Sequence, residues 1–200
     1  MTTRPRSDEK AQAILKAART CLGERGYSAA TIAEIAAEAG VSRGLLHYYF
    51  KSKEELLAQV VQTSTEAQLE MMATMFAQSE TAHDLAAGLA NGLRAIVERD
   101  PTYINLALEL WTVARESPLV ASELEDLYRR FREAIHENLA EATARGVISP
   151  TISLDGLAAL LVGITDGFVW QFLINPELTA DEEMWKALEM ATHALLGTGK

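Results

Sequence analysis

Residues 41–57 read VSRGLLHYYFKSKEELL, an apolar and aromatic block set between a lone arginine, Arg43, and a charged run that begins at Lys51. The ten residues before it read TIAEIAAEAG, with Ile32, Ile35, Ala36 and Ala39 at helical spacing. Two short helices are expected, over 31–39 and 42–49, joined by a tight turn at Ala39-Gly40-Val41. That is the outline of a helix-turn-helix, whose second helix lies in the major groove of DNA. Val41, Leu46 and Phe50 would face inward, leaving Arg43, Gly44, Leu45, His47 and Tyr48 outward. An inner apolar side and an outer groove-reading side account for the composition of the block.

Working outward, helical spacing recurs along the whole chain, and no long run alternates with period two. Ala11, Ile14, Leu15, Ala18 and Leu22 mark a first helix over 8–22, ended by Gly23 and Gly26. Further helices are expected over 53–78 with a possible break, 82–99, 102–115, 118–145, 154–174 and 180–196. Capping boxes are expected at Thr31/Glu34, Ser52/Glu55 and Thr179/Glu182, because a hydroxyl can accept from the N3 amide while a glutamate reaches back. The fold class is all-α: an N-terminal three-helix, helix-turn-helix domain over 1–53 and a helical body over 54–200.

The chain has 200 residues, 48% of them hydrophobic, which is enough for a true core. Its net charge of −10 is unevenly placed. Residues 1–57 hold nine Lys/Arg against seven Asp/Glu, whereas the remainder holds nine against twenty-one. An acidic body with a mildly basic head suits a protein that brings only the head to a polyanion. The single cysteine, Cys21, lies among apolar residues and is expected to be a buried thiol. The N-terminus lacks the apolar core of a signal peptide, and Thr165, Asp166 and Gln171 interrupt the longest apolar segment. A cytoplasmic protein with no membrane association is expected.

The segment GYSAATIAEIAAEAGVSRGLLHYYFKSKEELL, residues 26–57, closely resembles the signature of the TetR family of one-component transcriptional regulators. It has the threonine that opens helix two, V-S-x-G-x-L followed by an aromatic run ending in phenylalanine, and S-K-E-x-L opening helix four. His47 departs from the pattern, in which tyrosine is frequent at that place. The resemblance implies roles for particular residues. Arg43 would donate a bidentate pair to guanine, Gly44 would let the backbone approach base edges, and Leu45 would meet a thymine methyl. Thr31, Ser42, Tyr48, Tyr49 and Lys53 would hold phosphates, and His47 would make a phosphate or base contact of altered reach. Arg4 and Arg6 read as a tail or as minor-groove contacts.

For the body, residues 54–200, the resemblance implies a helical ligand-binding and dimerisation domain, with a homodimer through the last two long helices and a small-molecule effector. Helix 154–174 fits the first role, since Gly163 and Gly167 lie four apart on one face and would let another backbone come close. Met71, Met75, Tyr103, Leu106, Trp111 and Phe168 are the candidate ligand-binding residues, an apolar and aromatic set suited to an apolar or amphipathic effector. The stretch ITDGFVWQFLINPELT, residues 164–179, also resembles BetI-type repressors, which implies a quaternary ammonium ligand held by an aromatic cage with Glu109 or Asp166. Asp166 reads first as a capped or paired buried carboxylate, and only second as part of a ligand site. Repressor action on double-stranded operator DNA is the expected function, with release by the effector. A protein-binding adaptor or a small-molecule-binding enzyme is the alternative. The histidines His47, His83, His136 and His193 are scattered, with no metal-ligand spacing, phosphate loop or nucleophile elbow. Neither cofactor nor metal is expected.

Overall fold

A computed structural model describes residues 5–198; Arg4 and the side chain of Arg6 fall outside the description. Among the described residues the chain is helical with no strand. The helices are α1 Pro5–Ala29, α2 Ile32–Glu38, α3 Arg43–Tyr49, α4 Lys53–Gln78, α5 Ala82–Arg99, α6 Pro101–Ala114, α7 Pro118–Ala144, α8 Leu154–Ile174 and α9 Glu182–Leu196, with a 3-10 turn at Pro176–Ala180. Two compact units result. The first runs to Thr65 and takes in Thr102–Leu127; the second comprises Glu66–Pro101 and the chain from Tyr128 onward. The first unit reaches beyond residue 53 because the opening turns of α4 bury Leu56, Leu57, Ala58, Val60 and Val61 in its core.

In the first unit, the face of α1 marked by Ile14, Ala18 and Leu22 is fully buried against Ile35, Leu46, Leu106 and Leu110. Cys21 belongs to this core, and burial pushes its thiol pKa up. The expected stop at Leu22 is corrected. Helix α1 runs on through Gly23, where the Thr102 side chain occupies the space a Cβ would need. Gly23 therefore serves close packing, and the helical path breaks at Gly26, whose φ of +77° favours glycine. The possible break in α4 is absent, and that helix is continuous.

The second unit joins α5, α8 and α9 with the later parts of α4 and α7. Phe172 on α8 packs on Trp185 of α9 with ring centroids 4.7 Å apart, and the indole N–H donates to the Thr179 carbonyl at 2.8 Å. Arg94 donates to both Glu182 oxygens at 3.0 and 2.8 Å and to Glu98 at 2.8 Å. At the end of α4 the Arg145 guanidinium takes up the Phe76 and Ala77 carbonyls at 2.6 and 2.9 Å, acceptors that a helix end leaves unpaired.

Helix starts depart from expectation in two places. Thr179 does not cap α9: its hydroxyl donates to the Pro176 carbonyl within the 3-10 turn, and Asp181 caps α9 by accepting from the Glu183 amide. Pro176 sets this difference by starting a turn that uses up Thr179. A capping box that was not expected joins Thr81 to Asp84 at the start of α5. At Ser52 the hydroxyl accepts from the Glu55 amide as expected, but the Glu55 carboxylate accepts from the Lys51 amide.

Candidate nucleic-acid interface and ligand cavity

The turn between α2 and α3 is built from backbone bonds. The Val41 amide donates to the Ala36 carbonyl at 2.9 Å and the Gly40 amide to Ala37 at 3.1 Å, a Schellman closure that requires the positive φ of +64° at Gly40. Thr31 opens α2 with a reciprocal capping box to Glu34, whose carboxyl these hydrogen bonds hold below the usual pKa range. Ser42 opens α3 by accepting from the Leu45 amide at 3.1 Å. Both short helices are thus fixed before any side chain meets a ligand.

Leu46 on α3 and Phe50 at its C-cap are buried, while Arg43, Gly44, His47 and Tyr48 are exposed and Leu45 and Tyr49 are half-buried. Tyr48 is 68% exposed and meets the Tyr49 ring edge-on at 5.3 Å; Tyr49 also packs against the core. Arg43 makes no hydrogen bond or ion pair among the described residues. The structure therefore brings Ser42, Arg43, Gly44, Leu45, His47, Tyr48 and Tyr49 together on and around one helix, with the exposed Thr31 at the start of the helix before it.

Lys53 is placed differently. Its ammonium donates to the Tyr27 carbonyl at 2.6 Å and the Ala30 carbonyl at 3.0 Å, and it lies 4.2 Å from the centroid of the Tyr27 ring. Tyr27 in turn donates its hydroxyl to Glu54 at 2.7 Å and its amide to Glu109 at 3.3 Å. Lys53 thus fastens the start of α4 to the end of α1, with one of three N–H protons left over. Lys51 is exposed, and its side chain is engaged with no partner among the described residues. This cation next to α3 was given no role in the sequence, where the family pattern picks out Lys53 alone.

The second unit contains a cavity of about 450 Å³ between α4, α5, α7, α8 and α9. Met71, Met72 and Met75 of α4, Gly88 and Gly92 of α5, and Phe131, Ile135, Leu161 and Ile164 line it, with Gln68, Arg99, Asp100, Thr165 and Thr192 as polar members. Of the six expected ligand residues, Met71 and Met75 lie on this cavity. Tyr103, Leu106 and Trp111 belong to the first unit. There Leu106 is core, Tyr103 shares a hydrogen bond with Thr65 at 3.0 Å, and Trp111 is 46% exposed. Phe168 packs edge-on against Phe172 at 5.9 Å in a separate apolar cluster. The aromatic cage expected around Glu109 or Asp166 is likewise not formed at the cavity: Glu109 accepts from Tyr27, and Asp166 accepts from the Tyr128 hydroxyl at 3.1 Å. Asp166 is the paired carboxylate, and burial raises its pKa.

One face of the second unit is apolar and open. Leu160 and Trp170 are 46% and 49% exposed and Ile174 80%, and Gly163 and Gly167 have nothing within 4 Å of an added Cβ. These five residues repeat with helical spacing on α8, and exposed Ala187, Met190, Ala191 and Ala194 do the same on α9. Among the described residues α8 is the one helix long and apolar enough to cross a membrane.

A capped helix-turn-helix with an unengaged arginine, carried by a helical chain with an apolar cavity, defines the class of DNA-binding regulators. Residues 14–60 match the bacterial regulatory proteins of the tetR family, and residues 93–197 match the C-terminal region of BetI-type transcriptional repressors. The chain belongs to the TetR family of transcriptional regulators. It is 26% identical over 160 residues to the transcriptional repressor AcnR of Corynebacterium glutamicum, covering 79% of each chain. Its fold is that of FadR from Bacillus subtilis in complex with stearoyl-CoA (TM-score 0.72, 21% identity, 92% and 96% of the two chains). It is equally that of a transcriptional regulator from Saccharomonospora viridis in complex with choline (TM-score 0.73, 22% identity, 90% and 94%).

Proposed function

We propose that the chain is a homodimeric repressor that binds a near-palindromic operator through α3 and leaves it when a small apolar or amphipathic molecule enters the cavity of the second unit. The observation that carries the reading is the outer side of α3: an arginine without an internal partner beside Gly44, Leu45 and His47, on a helix capped at both ends. Arg43 reads a guanine, Leu45 a thymine methyl, and His47 a neighbouring group. Thr31, Ser42, Tyr48, Tyr49 and the remaining proton of Lys53 hold phosphates, and Lys51 adds a contact that carries no sequence information. Residues 1–53 act as the DNA-binding segment and 54–200 as the effector and dimer segment, in the cytoplasm and without catalysis.

The apolar α8 and α9 stripes supply the dimer contact, since small residues let two helix pairs approach closely. That role, rather than a membrane, accounts for α8, which carries the half-buried Asp166 bonded to Tyr128. Helix α4 is the link to the effector: its first part is packed in the first unit, and Met71, Met72 and Met75 line the cavity. A ligand that prefers one placement of α4 changes the spacing of the two α3 helices and shifts the population away from the DNA-bound state.

The test uses DNA fragments selected by the purified protein, titrated by fluorescence anisotropy. Arg43→Ala is expected to cost about 1–3 kcal/mol on the selected site and to relax preference at one base pair per half-site. Lys51→Ala should weaken specific and random DNA alike and reduce the salt slope by about one. Equal losses on both DNAs for Arg43→Ala would reject its readout role.

A further inference from the structure

The cavity tells more about its ligand than that the ligand is apolar. Its walls are mainly methionine, leucine, isoleucine, alanine and glycine, with few polar members and a single aromatic ring, Phe131. An aromatic cage for a quaternary ammonium needs several ring faces around one point, and these walls do not provide them. The methionines are unbranched and adaptable, which suits a flexible chain better than a rigid planar molecule.

The two α5 glycines have different roles. A Cβ at Gly88 would meet Met75 Sδ at 2.5 Å, so this position is already filled by the methionine. At Gly92 an added Cβ would meet nothing within 4 Å, and the residue is exposed and lines the cavity, so the absent side chain leaves open space there. Two turns further along α5, Arg99 also lines the cavity and is exposed. Acidic residues outnumber basic ones 28 to 18 in this chain, yet Arg99 makes no ion pair or hydrogen bond among the described residues. The neighbouring Asp100 is already engaged.

We infer that the effector is an amphipathic anion with a single flexible apolar tail, entering past Gly92 into the methionine-lined cavity while Arg99 binds its acidic head at the mouth. A guanidinium fork pairs with a carboxylate or a phosphate in two parallel hydrogen bonds, and its stem stays against apolar surface while the head remains wet. The inference rests on the ligand-responsive reading above and specifies its chemistry.

Four probes sharing one tail test it, each kept below its micelle-forming concentration: dodecanoate, dodecyl phosphate, methyl dodecanoate and dodecyltrimethylammonium. Calorimetric titration of the full-length wild type should show at least one anion binding about tenfold more tightly than the ester and the cation, the worth of one charge-assisted hydrogen bond. The better anion identifies the head as carboxylate or phosphate. Arg99→Ala should erase the preference and leave the ester's Kd unchanged, and Arg99→Lys should restore it in part. If Arg99 serves only the C-terminal end of α5, Arg99→Ala lowers the melting temperature but keeps the preference, and the inference is overturned. Ester or cation binding as tightly as both anions overturns it too. Gly92→Leu, which meets open space and raises helix propensity, should weaken all four probes together. Binding unaffected by Gly92→Leu would place the ligand elsewhere and refute the cavity itself, a failure distinct from loss of head-group preference.

Discussion

The two units solve opposite problems. In the first, α2 and α3 have seven residues each, far below the length at which a helix is stable alone. They are held by a capping box at Thr31, a hydroxyl cap at Ser42, a Schellman closure at Gly40 and full burial of Ile35 and Leu46. In the second, α5, α8 and α9 run for 18, 21 and 15 residues and enclose unfilled volume beside Gly92. Close packing elsewhere in proteins leaves few voids larger than a water molecule, and a cavity costs stability in proportion to its size. The contrast separates a surface that must present one geometry from an interior that must accept a guest.

The largest effect should come from joining the units' roles through the dimer. Trp170→Asp puts a charge on the open α8 stripe between Gly167 and Ile174, at a side chain that is half exposed. Light scattering should show a monomer with unchanged helical circular dichroism. Operator affinity should fall by at least about 100-fold, near 2.7 kcal/mol, because one head reads one half-site. A variant that remains dimeric would move the interface away from this face.

Next in size is a matched pair of truncations. Leu46→Ala, at a fully buried position under α3, is expected to cost about 2–5 kcal/mol in urea unfolding. Met72→Ala borders existing empty space and is half-buried, so its cost should be less than half as large. Equal costs would show that the cavity is as tightly constrained as the head.

What could be read in advance follows the same division. Thr31, Ser42, Gly40 and the buried set of Leu46 and Phe50 depend on neighbours three or four residues away, and the sequence pattern contains those neighbours. Met71 and Met75 share a face of one helix and were legible for the same reason. Gly23 was read as a stop because its reason is Thr102, distant in sequence. The second task of Lys53, fastening α4 to the end of α1, was not legible because its carbonyl partners at Tyr27 and Ala30 become neighbours only when α1 folds back beside α4. Tyr103, Leu106 and Trp111 were grouped with the methionines because they are equally apolar. Which unit α6 joins is decided by packing that local spacing does not encode.

Acid should act with opposite sign on two carboxylates, Glu54 in the first unit and Asp166 in the second. The Tyr27 hydroxyl holds the Glu54 pKa below its ordinary value, so its contribution is present above the unfolded value of about 4.3 and lost as pH falls through the folded one. Burial raises the Asp166 pKa, so its contribution is present below the unfolded value of about 3.9 and lost as pH rises through the folded one. Hydrogen exchange followed from neutral pH down through the carboxylate range should show α1, α2 and the start of α4 losing protection while Tyr128 and Asp166 surroundings gain it. Tyr27→Phe should flatten the first trend and Asp166→Asn the second. Parallel changes in both variants would mean that neither group controls the protection of its surroundings.

The smallest difference comes from one chemical device used in both units. Thr31 with Glu34 and Thr81 with Asp84 form the same reciprocal box, with hydroxyl-accepted amides at 3.3 and 3.1 Å. Removing an N-cap hydroxyl costs about 1 kcal/mol, so Thr31→Ala and Thr81→Ala should lower global stability by similar amounts. Their consequences should still differ. Helix α2 has seven residues, and a frayed first turn disturbs the half of the motif against which α3 is set; α5 has eighteen, and its first turn can fray while Gly92 and Arg99 keep their places. Thr31→Ala should therefore weaken operator binding by more than its stability loss explains, measured where both variants are fully folded. Thr81→Ala should leave operator binding and dodecanoate binding within a few tenths of a kcal/mol of the wild type, the usual scatter for a change that touches nothing at the site. If the two alanine variants bind DNA alike, the short helices of the head are held by their buried leucine and isoleucine alone, and the rigidity assigned to its caps must be given up.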